Sequence, residues 1–246
     1  MPSKRPQLAN NEIYHVVIRG VDGRDIFSGD SDYYRAIHDL FEFNDSNPTR
    51  WEHRLYCNRN NFENGSRKIY ENRSRNIRNS QPPRDFIVNI LSFCLMPNHI
   101  HLLLRQAQDN GISSFMRKFG AGYAGYFNRK YERSGYLFQG RFRAAHIKTD
   151  NQLRTVFVYI HTNPAALAEP NWKEGGIKDV GKVIEFIKNY KWSSYPDYIG
   201  KKNFPSVTNR DFLLKIMGGE NGCRAFVDGW IRYKKELHDW NAITLE

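Results

Sequence analysis

Apolar and polar positions alternate with the period of a strand early in the chain. "IYHVVIR", residues 13–19, is β-branched and aromatic and predicts a strand, closed by the glycine-containing turn "GVDGRD". Residues 31–43, "SDYYRAIHDLFEF", then place Tyr34, Ile37, Leu40 and Phe41 near helical spacing, which predicts an amphipathic helix begun near Ser31 or Asp32. Residues 86–104, "FIVNILSFCLMPNHIHLLL", hold no Asp, Glu, Lys or Arg. Such a run passes a crude membrane filter. Asn89, Pro97, Asn98 and two histidines argue instead for two short buried strands joined by a tight Met-Pro-Asn connection.

The pattern returns to helical over 112–135, crowded with aromatics and bases, and 135–148 reads as loop and strand. A helix is expected from Thr149 or Asp150 to about Thr162, before Asn163-Pro164. Further helices are expected at 179–189 and 222–238. Residues 44–85 are rich in Asn, Arg and Ser and poor in aliphatics, so an exposed insertion or a partly disordered segment is expected there. This divides the chain into a domain over 1–200, interrupted at about 44–85, and a mostly helical extension over 201–246.

Charge changes the picture next. Among 246 residues, 37 Lys and Arg against 26 Asp and Glu leave a formal charge of +11. That balance favours an anionic partner, with nucleic acid ahead of an acidic membrane surface, although simple solubility would also account for it. Cys57, Cys94 and Cys223 are widely spaced and odd in number, which suits a reducing, cytoplasmic setting. The start "MPSKRPQLANNEIY" lacks the apolar region of a signal peptide. No membrane association is expected.

His99 and His101 are the first candidates for chemistry. Two residues apart on a strand, they share one face, while Ile100, Leu102 and Leu104 turn to the other. Two close imidazoles repel when protonated, and a divalent metal resolves this because neutral imidazole nitrogen is a common ligand. Two partly exposed histidines bonded to neighbours would explain the pair as well.

Two histidines do not complete a metal site, so a further ligand should lie elsewhere. On the helix 150–162, Leu153, Val156, Phe157 and Ile160 mark the buried face, and Tyr159 and Asn163 fall together on one flank. Ordinary packing by Tyr159 and a C-terminal cap by Asn163 are the simpler account of the pair. "GIKDVGK", 176–182, matches a phosphate-loop pattern but continues with Val183 and follows no apolar strand, so no phosphate loop is expected.

"MPNHIHLLL" resembles the His-hydrophobic-His motif of single-tyrosine HUH transposases, and "YIHTNPA" resembles the tyrosine-helix motif of their REP-associated branch. "IYHVVIRGVDGRDIF", "YFNRKYERSGYLFQGRFRA" and "YKWSSYPDYIG" are similar to segments of that branch in the same order. The resemblance spans roughly 10–43 and 86–200; the insertion and the tail depart from it. It implies an α+β fold, a central antiparallel sheet with packed helices. It also implies His99, His101 and Asn163 as ligands of Mg²⁺ or Mn²⁺, and Tyr159 as the nucleophile.

The implied chemistry suits these residues. A metal polarises the phosphoryl oxygen and orients the leaving oxygen. A phenol is largely un-ionised near neutral pH and must lose its proton as it attacks. The expected product is a 5′-phosphotyrosine with a free 3′-hydroxyl, which can reverse the step and rejoin strands. DNA must also be held. Arg117, Lys118, Arg129, Lys130, Arg133, Arg141, Arg143 and Lys148, interleaved with Tyr123, Tyr126, Phe127, Tyr131, Tyr136 and Phe138, suit single-stranded or hairpin DNA. A solvated basic helix with its aromatics in the core is the alternative, and the Lys4-Arg5 arm would add phosphate contacts.

The function expected is a transposase that cleaves and rejoins single-stranded DNA near hairpins or repeats. Two others stand beside it: a domesticated, non-catalytic nucleic-acid-binding protein of the same fold, and a metal hydrolase with His146 as third ligand and Tyr159 a bystander. Monomer and dimer are left open.

Overall fold

Strand alternation in "IYHVVIR" does produce β1 (Ile13–Arg19), with Tyr14, Val16 and Ile18 buried and the odd positions turned to the other face. A computed structural model describes residues 6–47, 84–170, 172 and 176–243, with side chains to 235. The greater part of the predicted insertion, Cys57 and the Lys4-Arg5 arm lie outside the described residues.

The apolar run folds into a hairpin of β2 (Val88–Met96) and β3 (His99–Gln106) joined by Pro97 and Asn98. β4 is Arg143–Ile147. Among the described residues the sheet has four strands in the order β2-β3-β1-β4, all neighbours antiparallel. The helices are α1 (Asp30–Glu42), α2 (Gly111–Lys130), α3 (Asp150–Thr162), α4 (Ala165–Ala168), α5 (Val180–Asn189), α6 (Tyr195–Tyr198), α7 (Asp211–Met217) and α8 (Gly219–Ile243). An antiparallel sheet with packed helices is the α+β class expected from the sequence.

α2 and α3 both pack on β2 and β3 but not on each other, which puts them on opposite faces of the sheet. Between sheet and helices the core is filled by Tyr14, Val16, Ile100, Leu102, Leu104, Phe115, Phe119 and Phe157, none of them reachable by solvent. The outer edge of β2 is covered as well. Leu95 donates its N–H to the Trp192 carbonyl (2.8 Å), Ser194 N–H reaches the Phe93 carbonyl (3.0 Å), and the Tyr190 and Tyr198 hydroxyls donate to the carbonyls of Leu95 and Leu91. Capping that edge satisfies backbone groups that would otherwise template pairing with another chain.

Several boundaries differ from the sequence reading. The helix expected to 135 stops at Lys130, because Glu132 takes φ 50° and Gly135 φ 84°, and Arg133 N–H turns back to the Asn128 carbonyl. α4, α6 and α7 are too short to show a helical period, and α8 begins before 222 and runs past 238. α7 and α8 pack on α3, and Arg154 of α3 donates to the Ile216 carbonyl. The tail therefore buttresses the tyrosine helix.

"GIKDVGK" is the start of α5: Asp179 caps it by accepting from Lys182 N–H (2.9 Å), so the resemblance to a phosphate loop is a capping turn. At the stems of the insertion, the Asn44 amide exchanges two hydrogen bonds with the backbone of Val88, and Ser46 donates to Asp85 at 2.6 Å. Among the described residues no helix is long and apolar enough to cross a membrane.

Candidate active site

Register decides which side chains share a face. In β1 and β3, Val17 lies opposite His101 and Arg19 opposite His99, and Arg143 of β4 lies opposite Val17. Opposed residues of an antiparallel pair point the same way. His99, His101, His15, Arg19 and Arg143 therefore belong to one face, the face covered by α3.

His101 is the centre of the group. Its ring stacks on His15 (centroids 5.1 Å, interplanar 16°) and meets His99 edge-on (4.8 Å, 82°). His15 Nε2 lies 2.9 Å from His101 Nδ1, a hydrogen bond between the rings. Burial pulls the His101 pKa down to about 2, helped by the charges that His99, His15 and Arg19 would bring, and burial alone pulls His15 down to about 4. Both rings are neutral at physiological pH, the state a metal requires. His101 Nε2 is buried and has no protein partner.

Tyr159 reaches this group from α3. Thr149 caps the helix by accepting from Gln152 N–H (3.2 Å), and Leu153, Phe157 and Ile160 anchor it in the core. Pro164, which has no N–H to donate, stops it. With the buried face so fixed, Tyr159 stands on the flank, 48% exposed, its ring edge-on to both His15 (5.7 Å) and His101 (5.4 Å). A half-exposed phenol thus meets a neutral imidazole pair at its edge. Asn163 follows one turn later, and its amide donates to the Tyr159 carbonyl at 2.8 Å.

His146 is not part of this arrangement. It lies opposite Tyr14 in the register, on the other face, where it stacks on Tyr14 (4.9 Å) and binds Glu12 at 2.6 Å. The three-histidine hydrolase built on it is overturned. Among the described residues no group of three or more His, Cys, Asp or Glu is placed to hold a metal ion.

The predicted DNA-binding bases divide by environment. Lys130 is bonded to buried Asp32 (2.6 Å), Lys118 to the Asp45 carbonyl, and Arg133 to Asn128 (3.2 Å) while covering the Phe127 ring. Arg117, Arg129, Arg141, Arg143 and Lys148 are exposed, and Arg143 lies about 10 Å from His101, two strand spacings along the same face. Of the interleaved aromatics, Tyr123, Phe127 and Phe138 are core residues, and Tyr136 is 88% exposed. His15, Arg19 and Asn98 escaped sequence reading. Alternation within "IYHVVIR" puts His15 and Arg19 on its polar face, but only the register sets that face beside the histidine pair.

No curated protein matches the chain. Among solved structures, a REP-associated tyrosine transposase bound to a REP hairpin is 14% identical, with 86% of this chain and 93% of that chain covered and a TM-score of 0.47. A bacterial tRNA(His) guanylyltransferase-like protein in complex with ATP is 13% identical, over 81% of this chain and 80% of that chain, with a TM-score of 0.36. The family model of IS200-like transposases matches residues 64–163. That stretch carries the β2-β3 hairpin, α2, β4 and α3, with His99, His101, Tyr159 and Asn163 among its residues.

Proposed function

We propose that the protein cleaves and rejoins single-stranded DNA, with Tyr159 as nucleophile and a divalent cation at His99 and His101. The observation that carries this is the edge-on approach of the Tyr159 ring to His101 from a different element of the fold. There a half-exposed tyrosine meets two neutral imidazoles, His101 buried and His15 partly so.

The donor set fits a cation. His101 Nε2 is an orphaned buried nitrogen, and imidazole with an amide oxygen suits Mn²⁺ or Mg²⁺ held loosely, with positions left for phosphate. Asn163 would supply the amide oxygen. When bound, Mg²⁺ or Mn²⁺ would supply positive charge beside the phosphoryl oxygens and the leaving oxygen.

The protein's own residues do the rest. The Tyr159 oxygen attacks phosphorus, its proton leaves to solvent, the bond from phosphorus to the 3′-oxygen breaks, and that oxygen takes up a proton. The DNA 5′ end is left as a phosphotyrosine and the other strand ends in a 3′-hydroxyl, which can reverse the reaction. Arg19 and Arg143, on the same face as the histidines, would hold phosphates neighbouring the scissile one. Hairpin DNA is the proposed substrate, as in the complex of the REP-associated transposase.

A labelled single strand carrying a hairpin should become covalently attached to the protein when Mg²⁺ or Mn²⁺ is present. Tyr159→Phe should abolish the adduct and keep DNA affinity within about tenfold, since one hydroxyl contributes roughly 0.5–1.5 kcal/mol. An undiminished adduct in that variant refutes the assignment. No adduct from the wild type, with equal DNA binding with and without metal, supports a non-cleaving nucleic-acid-binding protein instead.

A further inference from the structure

An imidazole binds a metal through a nitrogen lone pair, so a site histidine is useful only in one of its two neutral tautomers. Which nitrogen carries the proton is set by the bond that the other nitrogen makes. Both site histidines use Nδ1 for a bond within the protein, and the two bonds have different partners.

For His99 the partner is Asn98, whose Oδ1 lies 2.6 Å from His99 Nδ1. An asparagine amide can present oxygen or nitrogen, and here its other end decides. Asn98 Nδ2 donates to the Gly23 carbonyl at 3.1 Å, so the oxygen faces the ring. A carbonyl oxygen only accepts. The proton therefore sits on His99 Nδ1, and His99 Nε2 carries the lone pair.

The rest of Asn98 is held as firmly. Its carbonyl accepts from Gly20 N–H (2.8 Å), and the neighbouring Pro97 carbonyl accepts from Ile26 N–H (2.8 Å). The loop that follows β1 thus clamps the hairpin connection and, through it, the orientation of the amide.

For His101 the partner is His15, Nε2 against Nδ1 at 2.9 Å. Between two neutral rings one nitrogen donates and the other accepts. If His15 donated, His101 would hold its remaining proton on Nε2, a buried donor with nothing to receive it and no lone pair for a cation. If His101 donates, its Nε2 is a lone pair left unused by the protein and free to take a cation.

We infer that Asn98 and His15 are the positioning residues of the site: each accepts the Nδ1 proton of one histidine, Asn98 from His99 and His15 from His101, so that both rings offer Nε2. The His101 half rests on the metal-site reading above; the His99 half follows from the amide alone. One partner is next in sequence to its histidine, the other comes from the adjacent strand, and the outcome at both rings is the same.

The test begins with the metal-free, full-length protein, ¹⁵N-labelled, observed through long-range proton–nitrogen correlations of its imidazoles. His99 and His101 should each show a protonated Nδ1 and an unprotonated Nε2, and His15 a protonated Nδ1. A protonated Nε2 on His101 or His99 overturns the inference. In Asn98→Ala and His15→Phe the tautomer of the matching ring should become mixed, and Mn²⁺ affinity should fall on the order of 10–100-fold. Asn98→Asp and His15→Gln, which keep an accepting oxygen, should restore most of it. Unchanged tautomers and affinity in both truncations, in protein that melts as the wild type does, also overturn the inference. A wild type with the stated tautomers that binds no Mn²⁺ refutes the metal reading and leaves the assignment of Asn98 and His15 standing.

Discussion

Asp32 offers a stability test that also separates structural bases from DNA-contacting ones. Its carboxylate is fully buried near the start of α1 and accepts from four donors. Tyr126 hydroxyl (3.0 Å) and Lys130 Nζ (2.6 Å) meet Oδ1, while Ser28 N–H (2.8 Å) and Tyr131 hydroxyl (2.8 Å) meet Oδ2. Asp32→Asn replaces one of these oxygens with an NH₂ group. A tyrosine hydroxyl can rotate and accept from it, but neither the lysine ammonium nor the Ser28 N–H can. Whichever way the amide sits, one donor is left facing another donor, and the rest lose an ionised acceptor.

A hydrogen bond to a charged group contributes about 1.5–3 kcal/mol, and breaking a buried pair costs about 3–5. The Lys130 side chain keeps 32% of its exposure, so water takes up part of the loss. About 3 kcal/mol remains, read as a shift in urea midpoint at pH 7 and fixed salt. Lys130→Met leaves Asp32 with three donors and should cost about 1 kcal/mol. A loss below 1 kcal/mol in Asp32→Asn would refute this account of how α2 is tied to α1. The same pair makes a DNA prediction. Because its charge is already matched by Asp32, Lys130→Met should leave the salt dependence of single-strand binding unchanged.

Arg143→Ala should instead reduce the slope of log K against log salt by about 0.7, the value for one phosphate contact on a single strand; an unaltered slope excludes Arg143 as a phosphate contact. His161 is fully buried against Ser194 (2.9 Å), and burial lowers its pKa to about 3 from the 6.5 of an exposed imidazole. It stays neutral in the fold while the unfolded chain takes up a proton below 6.5. Its stabilisation is whole above that pH and is lost as pH falls toward 3. Between pH 6.5 and 5 the loss should be about 2 kcal/mol greater in the wild type than in His161→Gln, measured by urea unfolding, and parallel losses would contradict it. Gly20→Ala should destabilise, because its Cβ would stand 2.3 Å from the Arg24 carbonyl oxygen; calorimetry should show a melting temperature several degrees lower, and an equal one would refute the close approach.

Periodicity carried the elements that position the site. β1, the hairpin and the tyrosine helix lie where alternation, the Pro-Asn break and the Thr149 cap put them, because each is long enough to show its period and has a physical stop. α4, α6 and α7 have too few residues for that. Two residues between β2 and β3 also dictate a hairpin, so the shared face of His99 and His101 was legible before any fold was known.

What the sequence could not show is which strand lies beside β3. β1 precedes it by 80 residues and yet becomes its neighbour, and that pairing alone brings His15 against His101. His146 shows the same limit from the other side. A histidine on β4 looks as good a third ligand as any, but it is opposite Tyr14 instead of Val17, and a displacement of one residue in a strand turns a side chain to the far face. Lys130 of α2 shows a related limit. Lys130 reads as a DNA contact in a basic aromatic stretch, but the acid that neutralises it is 98 residues away on α1. Local pattern tells which residues share a face of one element; only register and packing tell which elements share a site. Tyr159 comes to lie beside the histidines because each partner is fixed within a single element, a helix with one buried face and a strand with one histidine face, and those two elements pack together.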